Sequence, residues 1–309
     1  MSAVADTHVL TDSCGLVDRS ERGKLALTGG DAKAFLQGQV TNEIEGLEPG
    51  RGCYAAFLTH KGKMLGDLRV LDVGGELLLD TERVALQELF NMIRRYKLGR
   101  DVELHKRTLG TALLSLVGPD ARRVAGAEDL VDEHANRRAE IAGVPVVLVA
   151  TDVGIDVFAP AESKAAVASA LGVPEIGEEA AEIVRIERGR PRYGVDLDEG
   201  VIPQEAGLNE RAVSFSKGCY VGQETVARLH YRGKPNRHLR GLRLSEPVAA
   251  GTVLRLGEKE VGRLTSVAVS PTHGPIALAL VRREAAPGDT VAVGDAGATA
   301  KVVDLPFAG

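Results

Sequence analysis

Aromatic residues make up only 4% of this 309-residue chain, and there is no tryptophan. That leaves little material for base-stacking platforms. Cysteine is scarcer still, with Cys14, Cys53 and Cys219 far apart. An odd set without CxxC pairs supplies neither a disulfide framework nor a four-thiolate metal site, and it points to free thiols in a reducing compartment. The longest strongly apolar run, Val144 to Ala150, falls far short of the ~20 residues that a membrane span needs. Met1 to Leu10 carries Asp6 and His8 and lacks the basic start and apolar stretch of a leader. The expectation is a soluble cytoplasmic protein without a membrane partner. There is no GKS or GKT phosphate loop, no HExxH pair and no GxSxG elbow, and the seven histidines are scattered. NTPase, metalloprotease and ordinary hydrolase chemistry therefore lack their usual carriers, and no metal is expected.

What is present is enough apolar material for a large core, at 44% hydrophobic residues. At ~150 residues per domain the length suggests about two domains. Lys plus Arg number 38 against 43 Asp plus Glu, a net charge of -5. This mild acidic excess argues against a dedicated nucleic-acid binder. Helical spacing occurs at Asp31 to Val40, at Thr81 to Leu98 with Gly99 behind it, at Ala161 to Leu171, and from about Gly177 to Arg188 before Gly189 and Pro191. Gly52 to Leu58 and Leu65 to Val73 read as a hairpin around a Lys-Gly-Lys tip, and Leu113 to Val117, Val144 to Val149 and Gly154 to Phe158 as buried strands. From Asn236 onward short strands follow one another between Gly, Pro and Asp, the pattern of an antiparallel barrel or sandwich. The spacing thus predicts an α+β body over residues 1–235 and an all-β module over 236–309.

Three groups of residues stand out for chemistry. Glu187 lies on the apolar face of its helix, near Ile183, Val184 and Ala180, where an unpaired carboxylate is costly. It is either paired with Arg185, Arg188 or Arg192, or it awaits a ligand with adjacent N–H donors. Cys219 sits in Lys-Gly-Cys-Tyr-Val-Gly-Gln-Glu, residues 217–224. The expectation is a thiol activated by Lys217 and by the start of a helix after Gly222. Downstream, Arg228, Arg232, Lys234, Arg237, Arg240 and Arg243 form a basic run containing Tyr231. It is either a solvated face or an attractor of a polyanion, with small polyanionic ligands ranked above nucleic acid.

The octapeptide at 217–224, followed by Val226-Ala-Arg228 and Arg232-Gly233, resembles the signature of the YgfZ-type folate-binding proteins, which belong to the aminomethyltransferase (glycine cleavage T-protein) superfamily. Asp31 to Gln37 with Val40-Thr-Asn42, Ile186-Glu187-x-Gly189-x-Pro191 with Tyr193-Gly194, and Ile202 to Leu208 agree, so the resemblance covers nearly the whole chain. It implies an aminomethyltransferase-like fold, with three subdomains in a cloverleaf around a channel that binds tetrahydrofolate. It also implies a role in the assembly or repair of iron–sulfur clusters in client enzymes, tRNA-modifying ones among them. Glu187 and Tyr193 would then be pterin contacts, Cys219 the reactive thiol, and Arg228 and Arg232 cations at the channel rim for a polyglutamate tail. T-proteins carry an Asp-Asp pair after a glycine-rich tip; only its second member remains here, as Asp67. Asp67 would be the acid of the competing reading, a tetrahydrofolate-dependent aminomethyltransferase. No direct nucleic-acid partner is expected.

Overall fold

The computed structural model describes residues 3–308; Met1 and Ser2, the start of the stretch read for a leader, lie outside them. The chain opens with α1 (Ala3–Asp12), β1 (Gly15–Asp18), β2 (Gly23–Thr28) and the short α2 (Ala32–Gln37), followed by the hairpin β3 (Gly52–Leu58) and β4 (Met64–Asp72). Next come β5 (Leu77–Thr81), α3 (Leu86–Tyr96), β6 (Glu103–Lys106), β7 (Thr111–Val117) and α4 (Ala121–Val124). β8 (Asn136–Ile141), β9 (Val144–Ala150), β10 (Gly154–Pro160), α5 (Lys164–Leu171), α6 (Glu178–Glu187), α7 (Asn209–Ala212) and α8 (Gln223–Arg232) complete the body. The C-terminal strands are β11 (Arg237–Leu244), β12 (Val253–Leu256), β13 (Lys259–Ser270), β14 (Gly274–Arg282), β15 (Thr290–Val293) and β16 (Ala298–Val303).

These strands form three antiparallel units. The first sheet runs β3-β4-β5-β2-β6 and the second β1-β7-β10-β9-β8. The third is a closed barrel, β11-β14-β13-β12-β15-β16, sealed where Gly241 of β11 stands opposite Val303 of β16. Closure leaves no unpaired edge. Each unit has its own apolar core: Leu27, Phe35, Phe57 and Leu79 in the first, Leu114, Leu148 and Val157 in the second, Leu242, Leu264 and Val291 in the barrel. Leu71, Leu78, Leu113 and Phe158 join the two sheets. Ile186 of α6 packs with Leu239, Ile276 and Phe307 of the barrel module.

The expected α+β class and C-terminal antiparallel barrel are both present. Two readings of periodicity change. Thr81 to Leu98 is not one helix: Thr81 ends β5, Arg83–Ala85 forms a 3-10 turn, and α3 starts at Leu86. Thr81 pairs with Gly23 of β2, and its hydroxyl is hydrogen-bonded to the Asp67 carbonyl. Asp31 makes no side-chain cap for α2; its Oδ2 accepts the Asp101 amide N–H at 2.9 Å instead. The α6 helix ends at Gly189, whose φ of +64 favours glycine. A Cβ there would also meet Leu305 Cβ at 2.6 Å.

Candidate active site

A cavity of about 200 Å³ lies between the two sheets, lined also by the C-terminal half of α6 and by Arg190, Pro191 and Arg192 after it. Its floor comes from β4. Side chains two apart share one face of a strand, which puts Asp67 and Arg69 side by side there. Arg69 stands opposite Asp80 in the β4–β5 register. Asp80 is fully buried and accepts from Arg22 Nε at 3.0 Å and Arg69 Nε at 2.8 Å. Burial alone would raise its pKa, but the two guanidiniums overcome that and hold it at about 2. Arg69 also reaches Asp156 of β10 at 2.6 Å, tying one sheet to the other across the cavity.

Asp67 behaves differently. Burial pushes its pKa up to about 6, while a hydrogen bond from the Tyr54 hydroxyl at 2.6 Å works against the shift. Among the described residues no arginine forms an ion pair with it, although Arg22 lies close enough to lower it. It is thus a carboxyl group that changes protonation close to neutrality, in reach of a ligand and coupled to a phenol. Tyr54 is held from its other side by Arg211, whose guanidinium lies 5.2 Å over the ring.

The rest of the wall is cationic. Eight arginines line the cavity against five carboxylates. Arg211 pairs with Glu133 at 2.6 Å, Arg190 with Asp152 at 2.7 Å, and Arg185 with Asp196 at 2.7 Å. Arg192 bonds Glu178 and Glu182, each at 2.7 Å. Arg188 is exposed and, among the described residues, is the lining arginine whose guanidinium has no partner. His134 is buried in the same wall with a φ of +70, uncommon for a residue with a Cβ. Burial and the nearby Arg69 and Arg211 pull its pKa down to about 4, so it is a neutral imidazole at pH 7.

The site residues expected from sequence separate. Asp67 is in the cavity. Glu187 is not: its Oε1 accepts the Ser270 hydroxyl at 2.5 Å and its carbonyl accepts the Phe307 amide, so it fastens α6 to the barrel. It pairs with none of the three arginines named for it. Tyr193 packs at the edge of the first sheet and does not line the cavity, its hydroxyl pushed up to about 12 by burial and by Glu199, Asp198 and Asp67.

Lys217 does not support Cys219. Its ammonium has three protons, and these go to the carbonyls of Gln37 at 2.6 Å, Val40 at 2.8 Å and Asn42 at 2.7 Å. The side chain therefore pins the loop to the end of α2, where free carbonyls need donors. Cys219 is exposed outside the cavity, ahead of α8, which begins at Gln223 as expected. Gly222 makes that start possible. Its φ is +85, and a Cβ would come 2.5 Å from the Thr59 carbonyl at the tip of the β3–β4 hairpin. Arg228 and Arg232 are exposed on α8, and neither lines the cavity, contrary to a place on its rim. The reason is the helix rotation: Val226 is the buried residue of α8 and turns the arginine face outward.

Sequence reasoning missed Tyr54, Arg22, Arg69 and His134. No spacing signals them, because they come from different strands and loops and meet only through sheet register.

The model of the GCVT N-terminal domain matches residues 2–217, and that of the glycine cleavage T-protein C-terminal barrel domain matches 237–308. The chain belongs to the glycine cleavage T-protein family. An aminomethyltransferase of Thermotoga petrophila is 32% identical, covering 99% of this chain and 89% of its own length. One of Geobacillus kaustophilus is 30% identical, with 99% and 90% covered. In three dimensions the chain is similar to the glycine cleavage system aminomethyltransferase T of Bartonella henselae. The TM-score is 0.90 over 99% of this chain and 90% of the other, at 22% identity, so that likeness speaks to the fold alone. Between the two matched segments of the family lie residues 218–236, which hold Cys219 and the first part of the basic run, Arg228, Arg232 and Lys234.

Proposed function

We propose that this family member is a tetrahydrofolate-binding accessory protein of the YgfZ type, which supports iron–sulfur cluster assembly or repair in client enzymes. The observation that carries the reading is the separation of two reactive places. A ligand-sized cavity is built around Asp67, and the Cys219 thiol stands exposed on a pinned loop outside it, open to a large partner.

The cavity suits the head of a folate. Its volume lies below the ~300–1,000 Å³ of sites that enclose a whole drug-sized ligand, so it takes a ring system and leaves the tail outside. Ionised Asp67 offers two acceptor oxygens to adjacent N–H groups, and Tyr54 holds that carboxylate in place. The unpartnered Arg188 supplies a cation for a carboxylate of the ligand. When bound, tetrahydrofolate supplies the nitrogens that carry one-carbon units. In this reading Glu187 positions α6 from the barrel side, and Asp67 makes the contact first expected of it.

A second reading, aminomethyl transfer, is favoured by one observation: Asp67 titrates near 6, where a group both takes up and releases protons efficiently. Incubation with tetrahydrofolate and an aminomethylated carrier protein separates the two. The accessory reading expects no methylene-tetrahydrofolate. In a deletion strain grown under oxidative stress, wild type restores iron–sulfur enzyme activity and Cys219→Ser does not. Undiminished activity in the deletion strain overturns the accessory role.

A further inference from the structure

α8 turns one face to solvent. With Val226 inward, Arg228, Tyr231 and Arg232 share the outer side at spacings of three and four residues. Tyr231 is 68% exposed. Its ring is nevertheless braced: it meets the His230 ring edge-on at 4.8 Å, and His230 in turn stacks on Phe215 at 3.8 Å. Beyond the helix the chain passes Lys234 to β11. There the Asn236 carbonyl accepts the Arg283 amide at 3.0 Å, and Arg237 stands opposite Arg282. Arg228, Arg232, Lys234, Arg282 and Arg283 are all exposed, and none forms an ion pair among the described residues. Of the carboxylates beside them, Glu224 stands one turn before Arg228, Glu205 is paired with Arg237, and Glu284 is bonded to Lys259 and also feels the charge of Arg282.

Five cations without an ion-pair partner among the described residues, three of them within three residues of the exposed Tyr231 in sequence, are unusual in a chain of net charge -5. None of them lines the central cavity. We propose that this face binds a single-stranded polynucleotide, with a base stacked on Tyr231 and phosphates held by Arg228, Arg232, Lys234 and the Arg282–Arg283 pair. Sequence composition ranks nucleic acid low because aromatics are few; the fold changes that ranking by setting one tyrosine, held edge-on, among the cations. Stacking needs an unpaired base, which excludes a duplex. An acidic protein surface would use the cations and leave the ring face idle. The proposal is independent of the folate reading.

Fluorescence anisotropy with the full chain tests it, using labelled oligouridylate and oligothymidylate of about ten nucleotides, a duplex, and a polyglutamate peptide of equal charge. Both single strands are expected to bind, with log K falling against log salt at a slope of about -2 to -3.5, for three to five phosphates. A preference between the two assigns RNA or DNA as the natural ligand. Tyr231→Ala should lose about 5- to 150-fold in affinity at unchanged slope, and Tyr231→Phe should restore it. Arg228→Ala with Arg232→Ala should reduce the slope by about 1.4. Equal binding of the polyglutamate peptide or the duplex, full affinity in Tyr231→Ala, or no binding at about 50 mM salt overturns the proposal.

Discussion

The Cys219 loop and the central cavity are built on opposite plans. The loop carries the densest local signal in the chain, a lysine, two glycines, a cysteine and a glutamine within seven residues; in the fold Lys217 anchors it to the end of α2, while Cys219 stays exposed and Val226 is the buried residue of the helix behind it. The cavity has almost no local signal. Arg22, Tyr54, Asp67, Arg69, His134 and Asp156 are spread over more than half the body, and sheet register brings them together. A contiguous motif marks something presented outward. A charged cavity is a long-range product of strand pairing, and it is the part of the molecule where protonation is under control.

The contrast can be broken most forcefully at the buried ion pairs. Removing one partner of a buried pair leaves an uncompensated charge and costs ~3–5 kcal/mol. Asp80→Ala takes that carboxylate from Arg22 and Arg69, which keep Glu82 and Asp156, and should lower unfolding stability toward the lower end of that range, ~3 kcal/mol, in chemical denaturation. A loss under ~1 kcal/mol would mean that the network is slack.

Asp67 sharpens the comparison through pH. Its folded pKa, about 6, lies above its ordinary 3.8, so the folded state binds more protons than the unfolded state between those values. Stability is therefore highest below pH 4 as far as this group is concerned, and declines as pH rises toward 6, by about 3 kcal/mol in total. Asp80 acts in the opposite sense: its folded pKa of about 2 adds stability above pH 4 that disappears as pH falls toward 2. Comparing Asp67→Asn with wild type isolates the first term. The variant should lack the decline between pH 4 and 6, and parallel curves would contradict the assigned protonation.

Lys217→Ala removes a cation bonded to three carbonyls and should destabilise by ~1.5–3 kcal/mol, the range for hydrogen bonds to charged groups. A structural anchor leaves the intrinsic reactivity of Cys219 unchanged, whereas an activating cation does not. Rates of alkylation against pH, measured below the unfolding transition, tell the two apart. In wild type Cys219 should react ahead of Cys14, which burial pushes up to about 11, and of Cys53, pushed up to about 12. Cys219→Ser is the smallest change, within ~0.5 kcal/mol in stability, as for a surface site.

Much of the fold was legible. Period-two runs marked the barrel strands, and Gly189 with Pro191 marked the end of α6. Other strands were not: β1 and β6 are only four residues long, Asn136–Ile141 is polar enough to pass for a loop, and the internal β2 and β5 were not read as strands. Of the site, Asp67 was found only through the resemblance to T-proteins, as the remaining member of their Asp-Asp pair. Glu187 was correctly read as a carboxylate on an apolar face that needs a partner, yet the partner came from 83 residues away, as Ser270. Helical spacing tells that a group is turned inward but not what meets it there. Lys217 fails for the same reason, since its acceptors belong to residues 37–42.

The central claim is that the cavity around Asp67 is the folate site and the Cys219 loop is not. Calorimetric titration with tetrahydrofolate between pH 5 and 8, on wild type, Asp67→Asn and Cys219→Ser, tests it directly. Wild type should bind more tightly as Asp67 ionises around pH 6, Asp67→Asn should bind at least about tenfold more weakly at pH 7 and lose the pH dependence, from one contact of about 1.4 kcal/mol or more, and Cys219→Ser should match wild type. Unchanged affinity in Asp67→Asn, or its loss in Cys219→Ser, would contradict the account.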